Sequence, residues 1–226
     1  MNIAVLGTGM VGQAVAARLH DLGHSVVVGT RDPDSTLART EPDGMGNPPF
    51  SVWQEQNPGI TLAGFAEAAA GAELVVNATS GAATLGVLRL AGEENLAGKV
   101  LVDIANPLDF SQGFPPTLFV KDTDSLGEQV QRAFPSAKVV KTLNTLNAHL
   151  MVEPKQLADG DHSVFVSGDD VQAKQTVTDL LTSMGHTDVV DLGDISTARG
   201  TEMLLPIWLR LMGALDTPAF NLKVVR

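Results

Sequence analysis

Six residues near the start of the chain, Gly7-Thr8-Gly9-Met10-Val11-Gly12, have the spacing G-x-G-x-x-G. That spacing suits one kind of chemistry. The first glycine allows a tight turn, the second lets backbone approach a pyrophosphate, and the third lets a helix pack closely on a strand. A helix starting inside the motif adds unpaired N–H groups and a partial positive charge aimed at the same anion. The apolar run Ile3–Leu6 and the amphipathic stretch Met10–Leu22 supply the strand and helix that such a turn requires. The prediction is a dinucleotide held through its phosphates by Gly7, Thr8, Gly9, Met10, Val11 and Gly12.

The end of the next apolar run, VVVGTRDP, bears on which dinucleotide. A carboxylate there would accept hydrogen bonds from an adenosine ribose diol and repel a 2′-phosphate, whereas a hydroxyl and a guanidinium would bind that phosphate. Thr30 and Arg31 supply those two groups, and Arg31 and Arg39 are the only Lys or Arg between Arg18 and Arg89. Asp32 could reach a diol. Because Pro33 follows it, however, the pair reads as an N-cap with proline at the first helical position, which gives the carboxylate a structural task. The segment therefore selects NADP(H) over NAD(H).

Three later apolar runs end in small, uncharged polar segments: Asn77-Ala78-Thr79-Ser80, Ala105-Asn106-Pro107-Leu108 and Thr142-Leu143-Asn144-Thr145. In an open parallel sheet the ligand lies along the carboxyl ends of the strands. A nicotinamide ring there needs a close apolar wall with a few amide or hydroxyl partners. Lys141, His149, Asp103 and Asp109 are the nearest candidates for a general acid or base, and none stands out from its sequence context. Hydride exchange between two rings needs no protein proton donor. It needs donor and acceptor face to face, at about 3–3.5 Å.

These residues need a scaffold that brings strand ends together. Ile3–Leu6, Ser25–Val28, Leu74–Val76, Val100–Ile104 and Val139–Thr142 read as buried strands, with weaker ones at Thr61–Ala63, Ser163–Val166 and Asp188–Asp191. Helical stretches alternate with them at Met10–Leu22, Pro33–Arg39, Phe65–Gly71, Ala82–Leu90 and Ser125–Phe134. The fold class is α/β, a doubly wound parallel sheet with helices on both faces. Residues 40–60, with four Pro and three Gly around two aromatics, and residues 105–124 read as loops. The segment TARGTEMLLPIWLRLMGALDTP reads as a long helix, kinked at Pro206 and apolar on nearly every side. Such a helix is buried all round, either in the core or in a subunit interface.

Composition narrows the partners. A net charge of −11 argues against nucleic acid or an anionic membrane, since both are polyanions. With no Cys, thiol catalysis, disulfides and Cys-containing metal sites are excluded, and with no Tyr, a tyrosine proton donor is excluded. Of the five His, the closest pair, His20 and His24, has no third ligand at zinc-site spacing, so no metal is expected. No apolar stretch reaches the roughly 20 residues of a membrane span, and no signal-peptide pattern appears, so a cytoplasmic protein is expected.

Together GTGMVG, VVVGTRDP, VVNAT, VDIANP, VVKTLNTLNA and ISTARGTEMLLPIWLRLM resemble the F420-dependent NADP oxidoreductase family, whose fold also occurs in the reductase domain of membrane ferric reductases. The resemblance runs over essentially the whole chain. It implies an NADP-binding Rossmann domain over 1–142, and a small, mainly helical C-terminal domain over 143–226 for the acceptor and for homodimerisation. It also implies hydride exchange with the deazaflavin F420 or a flavin. Carried over by position, Thr8, Met10, Val11, Thr30 and Arg31 would hold NADP, Ala78 and Thr79 would lie near the nicotinamide, and Asn144 and Ser196 would border the deazaflavin. Asn144 stands where family members that bind F420 can carry His. Two other readings are a reductase of a small imine or keto substrate, for which Lys141 is the one serious acid, and a non-catalytic NADP(H) sensor.

Overall fold

The computed structural model describes residues 1–42 and 46–226. Its strands are β1 (Asn2–Leu6), β2 (Ser25–Thr30), β3 (Thr61–Gly64), β4 (Leu74–Asn77), β5 (Val100–Asp103), β6 (Leu108–Asp109), β7 (Thr117–Leu118), β8 (Lys138–Thr142), β9 (Ser163–Ser167) and β10 (Asp188–Asp191). The helices are α1 (Met10–Asp21), α2 (Pro33–Leu37), α3 (Phe50–Gln56), α4 (Phe65–Ala70), α5 (Gly81–Ala91) and α6 (Glu93–Leu96). The later ones are α7 (Leu126–Ala133), α8 (Ala148–Val152), α9 (Val171–Met184), α10 (Ala198–Met203) and α11 (Leu205–Leu215).

Eight strands form one sheet in the order β10-β9-β8-β5-β4-β1-β2-β3. From β3 across to β8 every neighbouring pair is parallel. This is the Rossmann arrangement, and its order reverses between β1 and β4, where such sheets open a crevice. β9 joins β8 antiparallel and β10 runs parallel to β9. The amino ends of β9 and β10 therefore lie at the same edge of the sheet as the carboxyl ends of the other six strands.

Alternation along β1 shows why both faces are covered. Ile3 and Val5 enter one core with Val15, Leu19, Val26 and Val166. Ala4 and Leu6 enter the opposite core with Phe65, Ala68, Leu88 and Leu101. Successive side chains point to opposite faces of a strand, so a strand buried on both sides reads as an unbroken apolar run. Burying each Leu, Ile or Val contributes about 1.5–3 kcal/mol. Four helices start at side-chain caps: Asp32 accepts from Ser35 N for α2, Ser125 from Glu128 N for α7, Asn147 from Leu150 N for α8 and Asp170 from Ala173 N for α9. The predicted cap at Asp32-Pro33 is thus observed, with Pro33 as the first residue of α2.

Three expectations change. The stretch 40–60 is not all loop, because Phe50–Gln56 forms α3, where Phe50 is buried and packs on Trp53 with ring centroids 5.0 Å apart. Residues 43–45 of that stretch lie outside the described residues. The stretch 105–124 contains the antiparallel pair β6–β7. The C-terminal apolar segment is two helices meeting at Leu204, with Pro206 in the first turn of the second. In α11 only Leu205 is buried, while Ile207 and Leu215 are half exposed, so it is no central core helix.

Candidate functional site

The glycine turn divides its labour residue by residue. Gly7 has φ +124°, and a Cβ there would stand 2.6 Å from the carbonyl oxygen of Ala78. A Cβ on Gly12 would stand 2.1 Å from the Gly7 carbonyl oxygen. Both contacts are with backbone and cannot relax, so these two glycines are required by the fold. Gly9 differs, since a Cβ there would meet nothing within 4 Å. It is the N-cap of α1, where no side chain caps the helix. The free N–H groups of the first turn and the open space at Gly9 form a cradle that fits a pyrophosphate.

A cavity opens on each side of this cradle, and Gly9 lines both. The smaller, about 550 Å³, lies against Thr8, Gln13, Thr36, Arg39, Pro49 and Phe50. Thr36 Oγ1 donates to the Asp32 carbonyl, so the 2.8 Å bond between Thr30 and Thr36 is donated by Thr30. The Thr30 hydroxyl is therefore buried and committed inside the turn. Arg31 is exposed and has no hydrogen bond or ion pair among the described residues. Ser35 donates two hydrogen bonds to Asp32, which turns that carboxylate toward α2 and lowers its pKa, the backbone N–H having the largest effect. Arg39, at the end of this segment, lines the smaller cavity and brings a cation to it.

The larger cavity, about 1150 Å³, runs along the carboxyl ends of β1, β4 and β5. Met10, Val11, Ala78, Thr79, Ala105 and Asn106 all line it. Asn77 is completely buried behind them. Its amide donates to Asp103 (2.8 Å) and Thr84 (3.2 Å), and its oxygen accepts from the Thr79 hydroxyl (2.7 Å) and, at 3.4 Å, the Thr79 N–H. Its donors are spent on Asp103 and Thr84, and its oxygen holds Thr79 at the wall. Asn144 is also buried; it donates to Asn106 Oδ1 and to the Thr201 carbonyl, and its own carbonyl accepts from Asn106. It thus reaches the cavity through Asn106. Pro107 and Ser196 line neither cavity, and Ser196 Oγ donates to Asp194 instead. The far wall was missed at the level of sequence: Asn147 and Met151 from α8, Phe110 and Phe119 from the β6–β7 region, and Trp208 from α11. Asn147 could have been found from its cap position before a short apolar stretch; Trp208 lacked any such signal.

The four candidate acids and bases are now placed. Lys141 is 1% exposed and pairs with Asp103 and Glu202, at 2.9 Å each. It also donates to the Ala105 carbonyl. Burial lowers its pKa, but the two carboxylates outweigh burial and raise it on balance. Glu202 in turn accepts from the N–H groups of Leu126 and Gly127 at the start of α7. Lys141 and Asp103 are thus sealed in a buried cluster that joins β5, β8, α7 and α10. His149 pairs with Gln156, away from the cavity. Asp109 lines the cavity, but its pKa is lowered, chiefly by the Ser111 backbone N–H and then by the Ser111 side chain. Among the described residues no group of three His, Cys, Asp or Glu could hold a metal ion, and no helix is long and apolar enough to cross a membrane.

A doubly wound sheet, a glycine cradle at its switch point and a long cleft over the strand ends define a protein of the dinucleotide-binding class. Comparison with known proteins gives the family. The profile of the family described as NADP oxidoreductase, coenzyme F420-dependent, matches residues 2–107. A crystal structure from Arthrobacter sp. FB24, whose assignment as an F420-dependent NADP-reductase is provisional, superposes with a TM-score of 0.96 at 65% identity, covering 100% of both chains. The F420-dependent NADP reductase of Methanocaldococcus jannaschii is 26% identical over 93% of this chain and 92% of its own length. Metalloreductase STEAP3 of Rattus norvegicus is 30% identical over 92% of this chain, which spans only 38% of that longer protein. The chain belongs to the F420-dependent NADP oxidoreductase family, and it is an NADP-dependent oxidoreductase.

Proposed function

We propose that the protein exchanges hydride between NADP(H) and a ring of the F420 or flavin class, with both rings in the larger cavity. The observation that carries this reading is the continuity of the two cavities across Gly9, one compact and one more than large enough for a single ring. In this reading the turn Gly7–Gly12 holds the pyrophosphate and Arg31 meets the 2′-phosphate, while Thr30 braces the turn through Thr36. Ala78, Thr79, Ala105 and Asn106 form the nicotinamide side, with Asn77 and Asn144 fixing Thr79 and Asn106 from behind.

When bound, NADP(H) supplies the hydride. The chain positions the two rings and excludes water; with Lys141 sealed and the Asp109 pKa lowered, the described lining of the larger cavity offers no acid for protonating an imine or ketone. In this reading residues 1–142 serve the cofactor and give Phe110 and Phe119 to the acceptor wall, and residues 143–226 supply the rest of that wall. The half-exposed apolar residues of α11 support a homodimer formed through it.

Two measurements test the reading. Absorbance of NADPH mixed with F420, FMN or FAD reports turnover, and failure to reduce any of them refutes the hydride-exchange proposal. Arg31→Ala should weaken NADPH binding about 10- to 150-fold, the value of a hydrogen bond to a charged group at about 1.5–3 kcal/mol. NADH binding should change little; an equal loss for both cofactors would move the 2′-phosphate site away from Arg31.

A further inference from the structure

After Asp216, which closes α11 in the left-handed conformation (φ 51°), residues 217–226 run without helix or strand to the edge where β9 and β10 begin. There the Leu222 carbonyl accepts from Ser163 N, Val224 N donates to the Ser163 hydroxyl, and Lys223 and Arg226 pair with Asp188. The antiparallel turn of the sheet between β8 and β9 puts these anchors at the edge that carries the glycine cradle. On its way the tail touches two residues of the larger cavity. The Pro218 carbonyl accepts from Asn147, and Phe220 stacks on Trp208 with ring centroids 5.1 Å apart and planes inclined by 30°.

Trp208 is therefore braced on one side by an aromatic ring that is itself tied to the sheet. Its indole N–H is buried and has no hydrogen-bond partner among the described residues, an uncompensated donor that a ring carbonyl could satisfy. None of the described residues lining this cavity is Lys, Arg or His, and the one carboxylate among them is Asp109. A net charge of −11 adds no attraction for an anion.

We infer that Trp208, backed by Phe220, is the surface on which a planar tricyclic ring of the isoalloxazine or deazaisoalloxazine type stacks, and that the cavity selects the ring and not an anionic tail attached to it. Stacking energy does not depend on the tail, and a phosphate or carboxylate leaving this cavity meets no cation in its lining. The inference rests on the proposed acceptor class, but it concerns binding, which can be measured without turnover.

The chain has two Trp and no Tyr, so Trp53→Phe leaves Trp208 as the reporting fluorophore. With NADP⁺ present, this variant is titrated with riboflavin against FMN, and with the tail-less deazariboflavin core of F420 against F420. In the expected result both members of at least one pair quench Trp208 emission, with dissociation constants within tenfold of each other, and FMN does not weaken as salt rises. Trp208→Ala and Phe220→Ala weaken ring binding by tenfold or more, Trp208→Phe retains most of it, and NADPH affinity stays as in the parent, which verifies folding. A ring that binds without quenching, an unchanged affinity in Trp208→Ala, or a tail-bearing member more than tenfold tighter than its core overturns the inference, as does failure of either pair to bind. Binding with quenching but no hydride transfer would leave this inference standing and refute the proposed reaction, while unimpaired turnover by Trp208→Ala would do the reverse.

Discussion

Lys141→Met isolates what the buried cluster contributes. In the native protein one cation faces two carboxylates, and each carboxylate has other partners: Asp103 accepts from Asn77 and from Ala105 N, and Glu202 accepts from Leu126 N and Gly127 N. Removing the ammonium therefore leaves most of the hydrogen bonds of the carboxylates intact and takes away the cation that faces them, besides the donor to the Ala105 carbonyl. Breaking a buried ionic group by deleting one partner costs about 3–5 kcal/mol. At about 2–4 °C per kcal/mol for a chain of this size, Tm should fall by roughly 10 °C.

The pH dependence gives the sharper test. The folded pKa of Lys141 is raised from its ordinary 10.5, so its contribution is complete below that value and fades only as pH rises through the folded pKa; the native protein should show no slope from this group between pH 5 and 8. Adding Asp103→Asn and Glu202→Gln should recover part of the loss at pH 7. Urea unfolding across pH 5 to 8 measures all of this. A deficit below about 1 kcal/mol at pH 7 refutes the assignment of a buried ionic cluster on Lys141.

The two kinds of glycine in the turn should separate cleanly. Gly12→Ala should lower Tm because its methyl group has only the Gly7 backbone to displace, whereas Gly9→Ala should keep the parent Tm and lose NADPH affinity, as read by thermal melts and calorimetry. His186 donates to the Met151 carbonyl and is held neutral, its pKa pushed down to about 4 from 6.5, first by burial and further by His162, with the Met151 bond opposing. Its stabilisation is complete above pH 6.5 and is lost as pH falls toward 4, on the order of 3 kcal/mol in all. Melting curves from pH 7.5 to 4.5 should accordingly be steeper for the parent than for His186→Gln. Ile207→Glu should convert a dimer to a monomer in light scattering without lowering NADPH affinity; a parent that is already monomeric contradicts the proposed interface.

Much of this architecture was legible because parallel strands buried on two faces must be continuous apolar runs. Ile3–Leu6, Leu74–Val76 and Val139–Thr142 could hardly be anything else in a chain of this composition. The cap at Asp32 was legible for a similar reason, since its signal is local and chemical. What escaped is what depends on partners distant in sequence. Phe50–Gln56 sits among prolines and forms a helix because Phe50 finds a place in the core, and no local pattern records that. Lys141, Asp103 and Glu202 come from separate elements, so the triad exists only after the sheet has formed. The apolar α11 had two possible fates, and composition cannot tell a helix wrapped by its own chain from one left at the surface. Its Trp208 forms part of the wall of the larger cavity, a place that an apolar helical run does not reveal.

The residue common to the two cavities has no side chain. No side chain at that junction couples what enters one cavity to what enters the other; in the proposed pose the ligand itself would make the connection. A dinucleotide bound that way would behave as a bivalent ligand, with each half at a high effective concentration for its own cavity once the other half is seated. An adenosine 2′,5′-bisphosphate fragment and a nicotinamide mononucleotide should each bind weakly and should occupy the protein together without competing. The difference between their summed free energies and that of the intact cofactor measures the linkage made through the pyrophosphate at Gly9.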